Sequence, residues 1–563
     1  MIDTDFKAIS QLENALTQLT FPEVTMKFMK TIVALSFSAI TLVPSISALA
    51  QANIADLQGT VGTVLTVDAN TGSDVNAGIG QPLKTLQAAV DKALINSSRG
   101  LATKVLVSPG EYRETLNIEQ TSSQAAPITF EALTIGTVTV SGSDILTHPF
   151  HASSNQSIFS YTWNYNFGLC PIPSGWPSSK IPTIVRRREM VFVNNVMLTQ
   201  VLSASSMHAG TFYVDEGSNA IRVWPQSGTN MSTAKVEAAV RSSTLNVSGR
   251  SNVTFRGMVF QHATTCINQN GANVNSSSNV LFDSVLVQWN SWGGLGINNS
   301  NGVTVQNSIA NHNGGVGLGG FHDKNANYYN NEASYNNWRG AMGSFYDWGM
   351  GGVKLMGLHT GTISGLRAVS NQAQGLWFDT DNKNITISNV HLIGNKVANL
   401  QLEANPGPIS LSSSALCKGD LGVNVIDTDH LTATGNTFYG NGGSSGKGAQ
   451  FFVAGNPGGR SQVDWESHAS YVLHTQNTTW KNNVMQSSNS GQNVFKTYLS
   501  SSDFSHFTTN FTGSGNHWYD STSTNKFSLS GGHVTNLKGW QAAVRDDYSS
   551  TWGYSSSAAG ACN

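Results

Sequence analysis

A unit of about 23 residues recurs through the second half of the chain, and a period of that length restricts the fold more than any other feature. Short β-like starts return at Asn252-Val-Thr-Phe255, Asn279-Val-Leu-Phe282, Gly302-Val-Thr-Val305, Gly361-Thr-Ile-Ser364, Asn384-Ile-Thr-Ile387 and Asn477-Thr-Thr-Trp480. Their spacings are 27, 23, 59, 23 and 93, near multiples of the unit with insertions. Runs this short cannot bury a face alone, whereas stacking them makes a continuous core. No 3.6-residue periodicity appears in these units, so stacked strands fit better than helical repeats, and a sandwich would not keep so long a period. The pattern predicts an all-β fold, a right-handed parallel β-helix.

A second column repeats later in each unit. It reads Asn290-Ser-Trp-Gly-Gly-Leu-Gly-Ile297, then Asn311-His-Asn-Gly-Gly-Val-Gly-Leu318, then Asn336-Asn-Trp-Arg-Gly-Ala-Met-Gly343. Asn at matching corners tolerates the left-handed backbone conformation and can hydrogen-bond along the stack. The last two members are Asn371-Gln-Ala-Gln-Gly-Leu-Trp-Phe-Asp379 and Asn395-Lys-Val-Ala-Asn-Leu-Gln-Leu-Glu403, in which both the Asn and the acid recur after 24 residues. Asp379 and Glu403 should therefore stack on adjacent strands, about 4.8 Å apart at the backbone. Carboxyl groups roughly 5–5.5 Å apart are what a retaining glycosidase uses. Such a pair is expected to share one proton near neutrality, because like charges repel.

Charge is scarce: Asp, Glu, Lys and Arg make up 11% of the 563 residues, against about 25% in ordinary globular proteins. A net charge of −2 offers no field for nucleic acid or an anionic membrane. Met26-Lys-Phe-Met-Lys30, the apolar run from Thr31 to Val43 and Ala48-Leu49-Ala50 read as a signal peptide with a mature start near Gln51. The leader, residues 1–50, then includes a start read too early, and the product is secreted or periplasmic. The apolar run is too short for a comfortable membrane span. Cys170, Cys266, Cys417 and Cys562 show no C-x-x-C spacing, which excludes the common zinc signatures. They can form one or two disulfides, with the pairing open. No metal site and no cofactor are read from the sequence.

Residues 51–142 are expected to form an N-terminal cap and the first turns, with the segment Pro82 to Leu94 as a capping helix. Residues 143–250 break the period and read as a small inserted β-rich domain, sandwich-like in kind. The β-helix with the site occupies 251–530, and 531–563 form a C-terminal cap around Leu537 to Val544.

Residues 336–360 read as an excursion one turn before Asp379, able to wall a groove over the acids. It carries Trp338, Arg339, Phe345, Tyr346, Asp347, Trp348, Lys354 and His359. Aromatic rings stack on the apolar faces of sugars, and cationic or imidazole groups bond their hydroxyls. With Trp377 and Asp381 these residues are the candidate substrate contacts, although Trp348 and Phe345 fit a small loop core equally well. Asp381 lies beside Asp379 if the strand continues, or caps the following turn.

The segments Gly375-Leu-Trp-Phe-Asp379 and Leu402-Glu403-Ala-Asn-Pro-Gly-Pro408, with the preceding Trp338-Arg-Gly-Ala, resemble the glycoside hydrolase family 120 β-xylosidases and related β-helix proteins. Gly72-Ser-Asp74 with the helix from Pro82, and Arg188-Glu-Met-Val-Phe-Val193, look like that group too. The resemblance implies Asp379 as nucleophile and Glu403 as acid/base of an exported glycoside hydrolase acting on an oligo- or polysaccharide. The family usually places an aromatic after the Asp, where this chain has Asp379-Thr-Asp, so the sugar need not be xylose. Two other readings compete. A polysaccharide lyase or epimerase would use Lys354, Arg339 or His359 as base and calcium at Asp379, Asp381 and Glu403, or basic side chains, against a uronate. A non-catalytic glycan-binding solenoid would need neither acid.

Overall fold

The computed structural model describes residues 62–119, 126–149, 157–442 and 448–562. The leader and its cleavage site lie outside the described residues. Among those described, no helix is long and apolar enough to cross a membrane.

Parallel strands stack in register into three long faces. Two faces are 13-stranded sheets, and the third is a five-stranded and a seven-stranded sheet joined by isolated bridges from Ile309 through Glu332 to Arg367. Six strands of one 13-stranded sheet carry the argument: β1 (Val316–Phe321), β2 (Gly351–Met356), β3 (Leu376–Asp379), β4 (Ala398–Glu403), β5 (Leu421–Ile426) and β6 (Ala449–Ala454). An inserted antiparallel hairpin follows, β7 (Arg460–Val463) and β8 (Ser470–Leu473).

Alternation of side chains decides which way each strand faces. Val353 and Leu355, Leu376 and Phe378, Leu400 and Leu402, and Val423 and Val425 all point inward and are essentially fully buried. Each such side chain contributes roughly 1.5–3 kcal/mol of burial. The residues between them, Lys354, Trp377, Gln401 and Asn424, form one outward column.

Buried asparagines hold the corners. Asn290, Asn313, Asn336, Asn371, Asn395 and Asn399 form a ladder in which each member accepts on Oδ1 from the amide groups of the one before. Left-handed backbone recurs at Asn252, Asn279, Asn325 and Asn384, each the second residue of a strand in the other 13-stranded sheet.

The structure corrects the repeat alignment at two places. Leu295, not Ile297, pairs with Leu318, so the rung that begins at Asn290 continues at Asn313 rather than Asn311. After Asn336 the chain leaves the stack as a short helix, Trp338–Met342, and returns at Gly351. Lys354 and His359 consequently stand on regular strands, not in the excursion.

The helix Leu86–Ser98 buries Leu86, Ala89, Val90 and Ala93 in the main core, and the helix Leu537–Val544 buries Trp540 at the other end. Between Ser143 and Ala239 the chain builds two four-stranded sheets around Tyr161, Trp163, Phe212, Ile221 and Val223. The solenoid resumes with Leu245–Ser248, earlier than the expected residue 251. Disulfides join Cys170 to Cys266 and Cys417 to Cys562, the pairing that spacing left open.

Candidate active site

Asp379 and Glu403 end β3 and β4 and are direct partners across the parallel pair. Both point away from the core because Phe378 and Leu402 point into it. Each acid has its own cation. Lys354 Nζ, on β2, lies 2.8 Å from Asp379 Oδ2 and 3.5 Å above the Trp377 ring, and it also donates to the Trp348 carbonyl. Arg460 Nη1, at the start of β7, donates to Glu403 Oε1 at 2.9 Å. The other oxygen of each acid is also engaged: Thr380 Oγ1 donates to Asp379 Oδ1 and Gln401 Nε2 to Glu403 Oε2, both at 2.9 Å. Two carboxylates this close repel, and Lys354 and Arg460 offset that repulsion.

An amide column continues from the pair. Gln401 Oε1 accepts from Asn424 Nδ2 at 3.1 Å and from Gln374 Nε2 at 3.4 Å. Three buried polar atoms here have no protein partner: Trp377 Nε1, Gln374 Oε1 and Asn424 Oδ1. A further acid, Asp427, lies near Glu403; burial pushes its carboxyl up, against the Asn456 N–H it accepts and the charge of Arg460.

Asp381 does not join the pair. The strand stops at Asp379, and Thr380 and Asp381 turn with positive φ. Asp381 is 2% exposed and faces the hairpin, accepting from Trp465 N–H at 2.8 Å and Tyr471 O–H at 2.7 Å. Burial alone would raise its carboxyl, but His359 at 3.4 Å, hydrogen bonds from Tyr471 and Trp465 and the charge of Lys383 hold it below the ordinary range. His359 is likewise committed to the hairpin, with Nδ1 3.0 Å from Glu466 and Nε2 3.4 Å from Asp381.

Two excursion residues also lie elsewhere. Arg339 is 1% exposed; its guanidinium donates to the Glu189 carbonyl at 2.8 Å and Gln200 Oε1 at 3.1 Å, tying the excursion to the inserted domain. Burial pulls its pKa down to about 9. Trp338 packs beside it and donates its indole N–H to the His312 carbonyl. Phe345 is core, with Trp176 and Trp292. Tyr346 lies under Lys396, Asp347 is exposed, and Trp348 is 40% exposed with its ring 5.8 Å from Trp176. Of the expected contacts, Lys354 and Trp377 are brought to the acids, and Trp348 reaches Lys354 through its carbonyl. Arg460, Gln401 and Asn424 were not read from the sequence. Gln401 was legible as two residues before Glu403 on the same face; Arg460 was not, because 57 residues and an irregular insertion separate it from its partner.

His359, Asp381 and Asp464 form the group of potential metal ligands among the described residues, with ligand atoms within 4.8 Å of one another. Lys383 answers much of that charge, contacting Asp464 and lying 3.7 Å from Asp381. The calcium set Asp379, Asp381 and Glu403 is not assembled, since the hairpin takes Asp381.

The fold and this surface define a class, the right-handed parallel β-helix with a polar site on one sheet face. Residues 270–527 match the family model described as a right-handed beta helix region. Among solved structures the chain is similar to XylC in complex with xylose, at 13% identity over 81% of this chain and 83% of that one, with a TM-score of 0.62. It is also similar to a protein described as a glycoside hydrolase (9%, covering 82% and 96%, TM-score 0.49). The A-module of the Azotobacter vinelandii mannuronan C-5 epimerase AlgE6 is a third (12%, covering 89% and 99%, TM-score 0.47). At these identities the likeness to XylC is one of fold, and the other two are looser. No curated protein sequence matches the chain.

Proposed function

We propose that the chain is a carbohydrate-active enzyme, a glycoside hydrolase that retains anomeric configuration, with Asp379 as nucleophile and Glu403 as acid/base. The observation that carries the reading is the in-register pairing of these two outward acids on adjacent strands. That pairing sets them about 4.8 Å apart at the backbone, a spacing from which the two carboxyls can reach the roughly 5–5.5 Å separation of a double-displacement pair. Asp379 attacks the anomeric carbon while Glu403 protonates the departing oxygen. Glu403 then takes a proton from the water that releases the sugar. Lys354 is the counter-ion an anionic nucleophile needs, and Gln401 and Arg460 orient the Glu403 carboxyl.

A neutral sugar fits better than a uronate. Lys354 and Arg460 are both taken up by acids, and the rest of the column is amide and indole. A β-xyloside is the first substrate to try, since XylC shares the fold and is known with xylose bound. The leader read at residues 26–50 fits a secreted or periplasmic enzyme.

The test is a panel of aryl glycosides and plant polysaccharides, with NMR of the first-formed anomer. Retained configuration, abolished in folded Asp379→Asn and Glu403→Gln, supports the proposal. An inverted product sinks it, and an ultraviolet-absorbing unsaturated sugar would indicate a lyase.

A further inference from the structure

The β7–β8 hairpin has no counterpart in the repeat, and it touches the solenoid through polar groups along its length. Lys324, His359 and Lys383 are partners on consecutive strands and make a column of basic side chains along one corner. The turn of the hairpin answers with acids. Glu466 meets Lys324 and His359, and Asp464 meets Lys383. Trp465, between those acids, has its ring 4.8 Å from each of the His322 and His359 rings. Asp381 closes the set from the solenoid side, taking the Trp465 N–H on one oxygen and the Tyr471 hydroxyl on the other. At the opposite end of the same hairpin, Arg460 reaches Glu403.

We infer that Asp381 anchors this hairpin and that the anchored hairpin presents Arg460 as the positioning residue of Glu403. This rests on the reading of Glu403 as the acid/base. Three observations lead to it. Asp381 is buried and both its oxygens are committed to hairpin groups, so it has no direct work at the acid pair. A carboxylate held at both oxygens by donors from different elements, Gln401 on the sheet and Arg460 on the hairpin, has its plane fixed. The Arg460 backbone is placed by its pairing with Leu473, and Tyr471 in that second strand is the residue Asp381 grips. Loosening Asp381 therefore frees Arg460 without touching Glu403. The chain thus uses the acid two residues past Asp379 to fix the partner of Glu403.

The experiment combines exchange, stability and kinetics on the whole protein. In Asp381→Asn, amide hydrogen exchange across 460–473 should rise by about tenfold or more while the sheets stay protected. Tyr471→Phe, which deletes one of the two bonds, should give a smaller rise and guards against Asp381→Asn failing to fold. Arg460→Met and Glu403→Gln should shift the thermal midpoint non-additively in the parent and additively in the Asp381→Asn background. With a turned-over glycoside, Asp381→Asn and Arg460→Met should each lower kcat and move the pH–rate profile, and the double variant should be no worse than the more impaired single one. Arg460→Lys should restore part of the loss. Unchanged exchange in both hairpin variants, or midpoint effects that add in the parent, would overturn the inference. So would kinetic losses that multiply in the double variant. If no glycoside is turned over, or Glu403→Gln stays active, the hydrolase reading fails, while exchange and midpoint coupling still decide whether Asp381 anchors Arg460.

Discussion

The Lys354 ammonium stands 2.8 Å from the Asp379 carboxylate and 3.5 Å above the Trp377 ring, so one cation fixes both an acid and an indole. Water screens this pair little, since each side chain is only about one-eighth exposed, 12% and 13%. Lys354→Met keeps the aliphatic stem and removes the charge. It should lower kcat on an activated aryl glycoside by on the order of 10²-fold, the scale of losing one preorganised electrostatic partner. Stability should fall by about 1–3 kcal/mol, because Asp379 is left without its cation. Steady-state kinetics beside urea denaturation check both figures, and a variant with parental kcat would remove Lys354 from the chemistry.

Asn371 sits at the centre of the corner ladder and is wholly buried. It accepts from the Asn336 backbone N–H at 2.9 Å and side-chain amide at 3.1 Å, and donates to the Ala333 carbonyl and Asn395 Oδ1, both at 2.9 Å. Asn371→Ala strands those neighbours in a dry interior, at about 1–3 kcal/mol for each orphaned group. The expected result in urea is a lower midpoint with an unchanged slope. A change within about 0.5 kcal/mol would mean that water replaces the ladder there.

The same ladder explains how much of the fold could be read in advance. Recurring Asn, Gly and alternating apolar residues encode corners and inward faces locally, and register follows because a one-residue slip would reverse every face. That is why Asp379 and Glu403 could be paired from their common spacing. The alignment slipped by two at Asn311 because Asn311-His-Asn313 offers two asparagines, and only packing selects Asn313 for the ladder. The excursion was read too long because Gly351 to Met356 carries no Asn marker of its own. For Asp381 the sequence allows two positions. Continuation of the strand would set it beside Asp379, but the strand ends there, and positive φ at Thr380 and Asp381 puts it in the following turn. Arg460 depends on a hairpin with no repeat pattern, and such long-range docking leaves no local signal.

Asp323 offers a pH test at a different corner, between Val316–Phe321 and Lys324–Tyr329. It is 2% exposed and accepts from Ser300 N–H at 2.9 Å and Phe321 N–H at 3.1 Å. Burial outweighs those two bonds and pushes its carboxyl up to about 8. An unfolded Asp ionises near pH 3.9, so between roughly pH 4 and 8 the native state holds a proton that the unfolded chain has lost. The contribution of Asp323 is thus complete below about pH 4 and is lost as pH rises through 8. Asp323→Asn carries a fixed cost, since an amide oxygen replaces only one of the two acceptors, but no titration. The thermal midpoint of Asp323→Asn relative to the parent should therefore improve from pH 5 to 8 and level off above. A constant difference across that range would show that Asp323 does not titrate there.

Asp381 should have the opposite pH signature, although both aspartates are buried. Its carboxyl lies below the ordinary range because His359, the Tyr471 hydroxyl, the Trp465 N–H and Lys383 together outweigh its burial. The native state therefore stays ionised at pH values where the unfolded chain has begun to bind a proton. Its stabilisation is fully present above the unfolded value of about 3.9 and is lost as pH falls through the lower native one. Comparing Asp381→Asn with the parent by thermal melting, the deficit of the variant should shrink below about pH 4. The loss should also appear locally: in the parent at low pH, hydrogen exchange in residues 460–473 should accelerate before the sheets open, because protonation leaves Asp381 a weaker acceptor for Trp465 and Tyr471. A deficit that persists unchanged to pH 3 would assign the effect of the substitution to shape rather than charge.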